Sequence, residues 1–259
     1  MKKLSLALVA LLAFSFVGCQ GWLNIDDPDP DPEPEPDPDP EVEAVITLEE
    51  TSATLHYGET YQIVAECESP ITYTSENEYN ATVSEDGLVT ANFVGSTTIT
   101  LESESDTQTF EVTVEPISDL YPEPEIEIGE TKESILEKFG TPGAEVEGAI
   151  GYQGYSDNAP MLMVMFDEED LVVSYGVIIG IDLEEDLNTF LSERYMFAQE
   201  EEGVRIYMNA LSVEDATLFV GSEAFDEEYL MAFYMGNTSE PEPEEKSADI
   251  KAILKALGK

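Results

Sequence analysis

The chain has 259 residues, enough for one to three domains, and its 42% hydrophobic content allows ordinary cores and speaks against a wholly disordered chain. Its 57 acidic residues face only 10 basic ones, a formal net charge of −47. Such a surface repels phosphate backbones, which leaves no nucleic acid among the expected partners.

The first 18 residues, "MKKLSLALVALLAFSFVG", pair Lys2 and Lys3 with an apolar run from Leu4 to Val17. That run is short for a membrane span and has the layout of a secretory signal peptide. It ends at Gly18-Cys19, which resembles the lipobox of bacterial lipoproteins. The resemblance implies cleavage before Cys19, acylation of its thiol and a lipid anchor in the outer membrane, with the protein facing either side. Residues 19–41 then carry the alternating run "DDPDPDPEPEPDPDPE". Proline on alternate positions disfavours helix and removes sheet donors. The like charges extend the resulting polyproline II segment into a stalk of roughly 50 Å. Asp26 and Asp27, soon after the Cys, also resemble the export signals of surface-exposed lipoproteins.

Residues 42–116 are a succession of short period-two runs, among them Ile46/Leu48, Tyr61/Ile63, Ile99/Leu101 and Phe110/Val112/Val114. Tyr57-Gly58, Asp86-Gly87 and Val94-Gly95 punctuate them, which predicts an all-β sandwich. The ordered pieces "LHYGETYQI", "ITYTSEN", "ATVSEDGLVTA", "GSTTITL" and "FEVTV" resemble the bacterial Ig-like domain of group 2. The resemblance implies an adhesion, spacer or carbohydrate-associated role and carries no catalytic residues. Tyr73 is expected to fill a core position there. Cys67, without a second cysteine beyond Cys19, is expected as a small buried residue. His56, the only histidine, reads as a strand-end residue and not as a base or ligand.

Pro116 and "YPEPE" mark residues 117–130 as a linker, which predicts two modules that fold independently. Residues 131–236 read as an α+β module of two helix-plus-antiparallel-sheet halves. Thr131 is the expected N-cap of the first helix, Ile135, Leu136 and Phe139 its buried face, and Gly140 its stop. Strands are predicted at "AIGYQGY", "MLMVMF" and "LVVSYGVIIG". A second helix starts with an expected capping box, Asp182 with Glu185, and buries Leu183, Leu187, Phe190 and Leu191. Strands "VRIYMN", "ATLFVGS" and "YLMAFYM" follow. "IEIGETKESILEKFGTP" with "MVMFDEEDLVVSYG" resembles the SmpA/OmlA and β-lactamase-inhibitor-like envelope domains. That resemblance implies protein interaction and no catalytic site. Met161, Met163 and Met165 share one strand face, either a buried central strand or an adaptable partner surface.

No His/Cys metal spacing, phosphate-cradling loop or calcium-loop pattern occurs, so no catalytic residue, metal or cofactor is assigned. The expectation is a non-enzymatic envelope lipoprotein that presents its two modules to an envelope protein. The alternative is a glycan-binding or glycan-processing lipoprotein, with Tyr152, Tyr155 or Tyr207 stacking on sugar. Residues 237–259 hold an acidic linker and then "KSADIKAILKALGK", which contains four of the ten basic residues. Ile250, Ile253, Leu254 and Leu257 form one apolar stripe flanked by Lys251, Lys255 and Lys259. Such a short helix needs a surface: the body of this chain, an anionic membrane or a partner. Ile250, Lys251, Leu254 and Lys255 join the methionine trio as candidate contact residues.

Overall fold

Short alternating stretches separated by glycine turns build the first half of the molecule. The computed structural model describes residues 45–201 and 203–237. The apolar leader, Cys19 with its stalk, and the tail with Ile250, Lys251, Leu254 and Lys255 lie outside those residues. The strands follow as β1 (Thr47–Leu48), β2 (Ser52–His56), β3 (Thr60–Gln62), β4 (Ala65–Glu66) and β5 (Thr72–Ser75). Next come β6 (Ala81–Val83), β7 (Leu88–Ala91), β8 (Gly95–Glu102) and β9 (Thr107–Glu115). Two sheets, β2-β9-β8-β5 and β3-β7-β6, enclose the core, and β1 pairs with β4. Strand β2 runs parallel to β9.

Alternation decides what faces inward. In β9, Phe110, Val112 and Val114 are buried while Thr109, Glu111 and Glu115 are not. They meet Leu55, Ile63, Val89, Ile99 and Leu101 in one core. Gly87 has φ +78°, and a Cβ there would also meet the Tyr73 ring at 2.9 Å, so the turn glycine and the packed Tyr73 depend on one another.

The second half contains α1 (Lys132–Phe139), β10 (Ala144–Val146), β11 (Ala149–Gln153), β12 (Met161–Phe166) and β13 (Val172–Gly180). It continues with α2 (Glu184–Ser192), β14 (Met196–Glu201), β15 (Val204–Met208), β16 (Leu218–Ala224) and β17 (Tyr229–Gly236). Thr131 caps α1 by accepting from the Ser134 N–H, and Gly140 ends it at φ +80°. The expected capping box of Asp182 and Glu185 does not form. A 3-10 turn over Ile181–Leu183 precedes α2, which puts Asp182 inside the helical path instead of ahead of it.

The expected α+β module of two helix-plus-sheet halves is corrected. All strands of this region join one antiparallel sheet in the order β10-β11-β12-β13-β17-β16-β15-β14. Seven residue pairs between β13 and β17, from Ser174↔Met235 to Gly180↔Tyr229, make it continuous. With helices of only 8 and 9 residues beside it, the described protein is nearly all β. Residues 117–130, read as a linker, send Leu120, Tyr121 and Ile126 into the core between the sheet and the helices.

Candidate functional site

The Ig-like domain meets the sheet around two adjacent residues, Glu193 and Arg194, that follow α2. Glu193 is 2% exposed in its side chain. Its carboxylate accepts the backbone N–H of Ile117 at 2.7 Å and of Ser118 at 2.9 Å. Arg194 donates from Nη1 to Glu193 Oε1 at 2.5 Å and from Nη2 to the Ser118 carbonyl at 3.0 Å. Its guanidinium lies 3.8 Å from the centroid of the Phe190 ring. A buried charge pair persists only where both groups are fully hydrogen-bonded, and this one is. From the Ig-like side, Val94 donates its N–H to the Glu193 carbonyl at 2.8 Å. The Tyr79 hydroxyl donates to the Arg194 carbonyl at 2.8 Å, and its ring stacks on Phe93 with centroids 4.5 Å apart. The geometry ties three parts together: the Ig-like domain, the connecting segment and the sheet.

Between the helices and the sheet lies a tyrosine belt. The Tyr121 and Tyr234 hydroxyls share a hydrogen bond of 2.6 Å, and Tyr175 stacks on Tyr234 at 4.6 Å between centroids. Tyr195 donates to Glu123, which Arg194 also holds through Nε at 3.2 Å. Burial, and then the Glu123 charge, raises the hydroxyl pKa of Tyr175 and Tyr195, which favours the protonated form in which Tyr195 donates. The tyrosines suggested for glycan stacking are otherwise engaged. Tyr152 and Tyr207 are buried, and Tyr155 donates to the Pro122 carbonyl at 2.5 Å, with burial and the charges of Glu123 and Glu125 pushing it up to about 12.

The other face of the sheet has a different chemistry. Met161, Met163 and Met165 are all buried there. Register extends the set: Met165 faces Ser174, Ser174 faces Met235, and Met235 faces Phe219. Phe219 in turn faces Met208, and Met208 faces Met196. Met231 lies opposite Ile178, which lies opposite Met161. Every one of the eight methionines except Met1 therefore falls on this face. Gly221 and Gly176 flank Phe233 in the middle row. A Cβ on Gly221 would sit 1.9 Å from Phe233 Cζ, so the ring occupies the room that a side chain would need.

His56 sits at the end of β2 with Nδ1 3.1 Å from the Glu115 carbonyl. Cys67 is only half-buried. Its burial pushes the thiol pKa up, but hydrogen bonds from Ser69, Ser103 and Glu68 outweigh that and leave it below the usual thiol value. The Glu193–Arg194 pair escaped sequence reasoning altogether, because "SERY" reads as an ordinary charged helix end.

Residues 43–114 match the model of the bacterial Ig-like domain (group 2), and this part of the chain is such a domain. No curated protein matches the chain. Among solved structures, domains 5–6 of the S-layer protein SbsC are 13% identical, over 76% of this chain and 85% of that one, with a TM-score of 0.24. A larger piece of the same protein, domains 1–6, is 14% identical over 74% of this chain and 21% of that one, with a TM-score of 0.25. Human protocadherin-24 EC1-2 is 14% identical over 69% and 87%, with a TM-score of 0.24.

Proposed function

We propose that this protein is a non-catalytic lipoprotein of the bacterial cell envelope, anchored to the outer membrane by an acylated Cys19. Its acidic proline stalk holds a stiff head, made of the Ig-like domain and the eight-stranded sheet, away from the lipid. The observation that supports a stiff head is the buried Glu193–Arg194 pair, which bonds to the Ig-like domain, the connecting segment and the sheet side at once. A tether that allowed the two modules to swing would not bury paired charges between them. The bacterial Ig-like match over residues 43–114 supports the envelope setting. A head of this kind places a recognition surface at a set distance and angle, and an envelope protein is the partner it suits.

The anchor is tested by mass spectrometry and fractionation of the protein and its C19S variant. Acylated Cys19 as the N-terminal residue, with C19S lost from the membrane fraction, is expected. An unmodified Cys19 or a retained Met1 overturns the reading. Recognition is tested with the full chain on envelope extract and on a glycan array: retention of a protein partner supports the proposal, and saturable glycan binding in its place contradicts it.

A further inference from the structure

The methionine face is covered, yet every apolar residue in its cluster comes from the sheet itself or from the hairpin at Phe225. Both helices turn the other way: Ile135, Leu187, Phe190 and Leu191 all belong to the opposite core. Met163 is nevertheless 0% exposed and Ile178 2% exposed. Side chains standing on a sheet lose all contact with water only when a second layer packs about 10 Å above them. Among the described residues, no apolar side chain of a second layer belongs to this cluster.

We propose that residues 247–259 of this chain supply it, docking as a basic amphipathic helix across the methionine face. Chain geometry favours this segment. Strand β17 lies inside the sheet between β13 and β16, and it delivers the chain to Asn237, which is pinned to Ala216 and Thr217 at the sheet's end. Residues 238–246 reach up to about 30 Å when extended, enough to fold back over the face. A helix of residues 247–259 is about 20 Å long, and the five strands from β11 to β16 span about the same distance at roughly 4.8 Å each.

Shape and charge agree with the geometry. Ile250, Ile253, Leu254 and Leu257 recur at i, i+3, i+4 and i+7, the stripe that a helix presents to a flat apolar surface. Unbranched thioethers adapt to such a stripe without a preformed groove. Glu223 stands on the same face, opposite Met231 in the register. It is half-buried, burial raises its carboxyl pKa, and it has no ion-pair partner among the described residues. A lysine beside the stripe, Lys251 or Lys255, supplies the opposite charge. The leader is also apolar, but its two lysines, Lys2 and Lys3, stand together at one end of the run, whereas Lys251 and Lys255 flank the tail's stripe along its length.

The test is peroxide footprinting of the methionines by mass spectrometry on the full chain and its I250D/L254D variant. Met161, Met163, Met165 and Met231 are expected to resist oxidation in the parent and to oxidise about tenfold faster in the variant. K251E/K255E keeps the apolar stripe and serves if the first variant melts early; a smaller acceleration, reproduced by E223Q, is expected. Unchanged oxidation in all three variants overturns the proposal. Protection that vanishes on dilution assigns the cover to a second copy, and protection lost on deleting residues 1–18 assigns it to the leader; either result also overturns it.

Discussion

The two faces of the eight-stranded sheet are built from the same strands and solve burial in opposite ways. On one, Tyr121, Tyr175, Tyr195 and Tyr234 interlock beneath the helices: the Tyr121 and Tyr234 hydroxyls hold one another, Glu123 holds that of Tyr195, and the Tyr175 ring stacks on Tyr234. On the other stand seven methionines with Phe233, Ile178 and a row of glycines, and polar side chains are few, among them Ser174, which donates to Met165 Sδ at 3.6 Å, and Glu223. Aromatic rings with polar handles specify one arrangement, because a buried hydroxyl without its partner is costly. Thioethers specify a surface and leave its occupant open to adjustment. The first face fixes how the head is assembled; the second accepts a cover.

The contrast is sharpest where a large ring is removed from the first face. Phe190 is 0% exposed, packs on Tyr121 at 4.3 Å between centroids and carries Arg194 on its other side. Phe190→Ala is expected to cost about 3–5 kcal/mol in urea unfolding and to loosen the Glu193–Arg194 junction. On the second face, Gly221→Ala forces the Phe233 ring aside, and about 1–3 kcal/mol is expected from the same measurement. Tyr121→Phe leaves the Tyr234 hydroxyl without its partner at 2.6 Å, a loss of about 1–3 kcal/mol, with Tyr234→Phe in the same background recovering part of it. Met163→Leu keeps volume on the adaptable face and is expected to cost less than about 1.5 kcal/mol. Were the methionine substitution as damaging as Phe190→Ala, the proposed difference between the faces would be gone.

Signals local in the chain were readable and pairings distant in the chain were not. Thr131 and Gly140 bracket α1 because capping depends on residues within one turn. The Ig-like domain was legible for a related reason: its strands alternate and its turns need glycine, as Gly58 and Gly87 at φ +78° confirm. β10 and β14 were missed, since "AEV" is only three residues and "MFAQEE" is an exposed edge with little apolar content. The union of β13 with β17 joins residues far apart in the chain, from Gly180↔Tyr229 to Ser174↔Met235, and no periodicity records it. The two halves therefore read as separate units. Met161, Met163 and Met165 were visible as a trio on one strand, but Met196, Met208, Met231 and Met235 join them only through the register. Glu193 gave no warning of burial, because a charged pair after a helix is usually solvated.

The asymmetry of the faces is tested most directly by methyl NMR of the full chain labelled at methionine, isoleucine and leucine. The account predicts nuclear Overhauser contacts from the ε-methyls of Met161 and Met163 to the methyls of Ile250, Ile253 or Leu254. Contacts from those methionines to sheet residues alone, with the tail's methyl signals at random-coil positions, would contradict it.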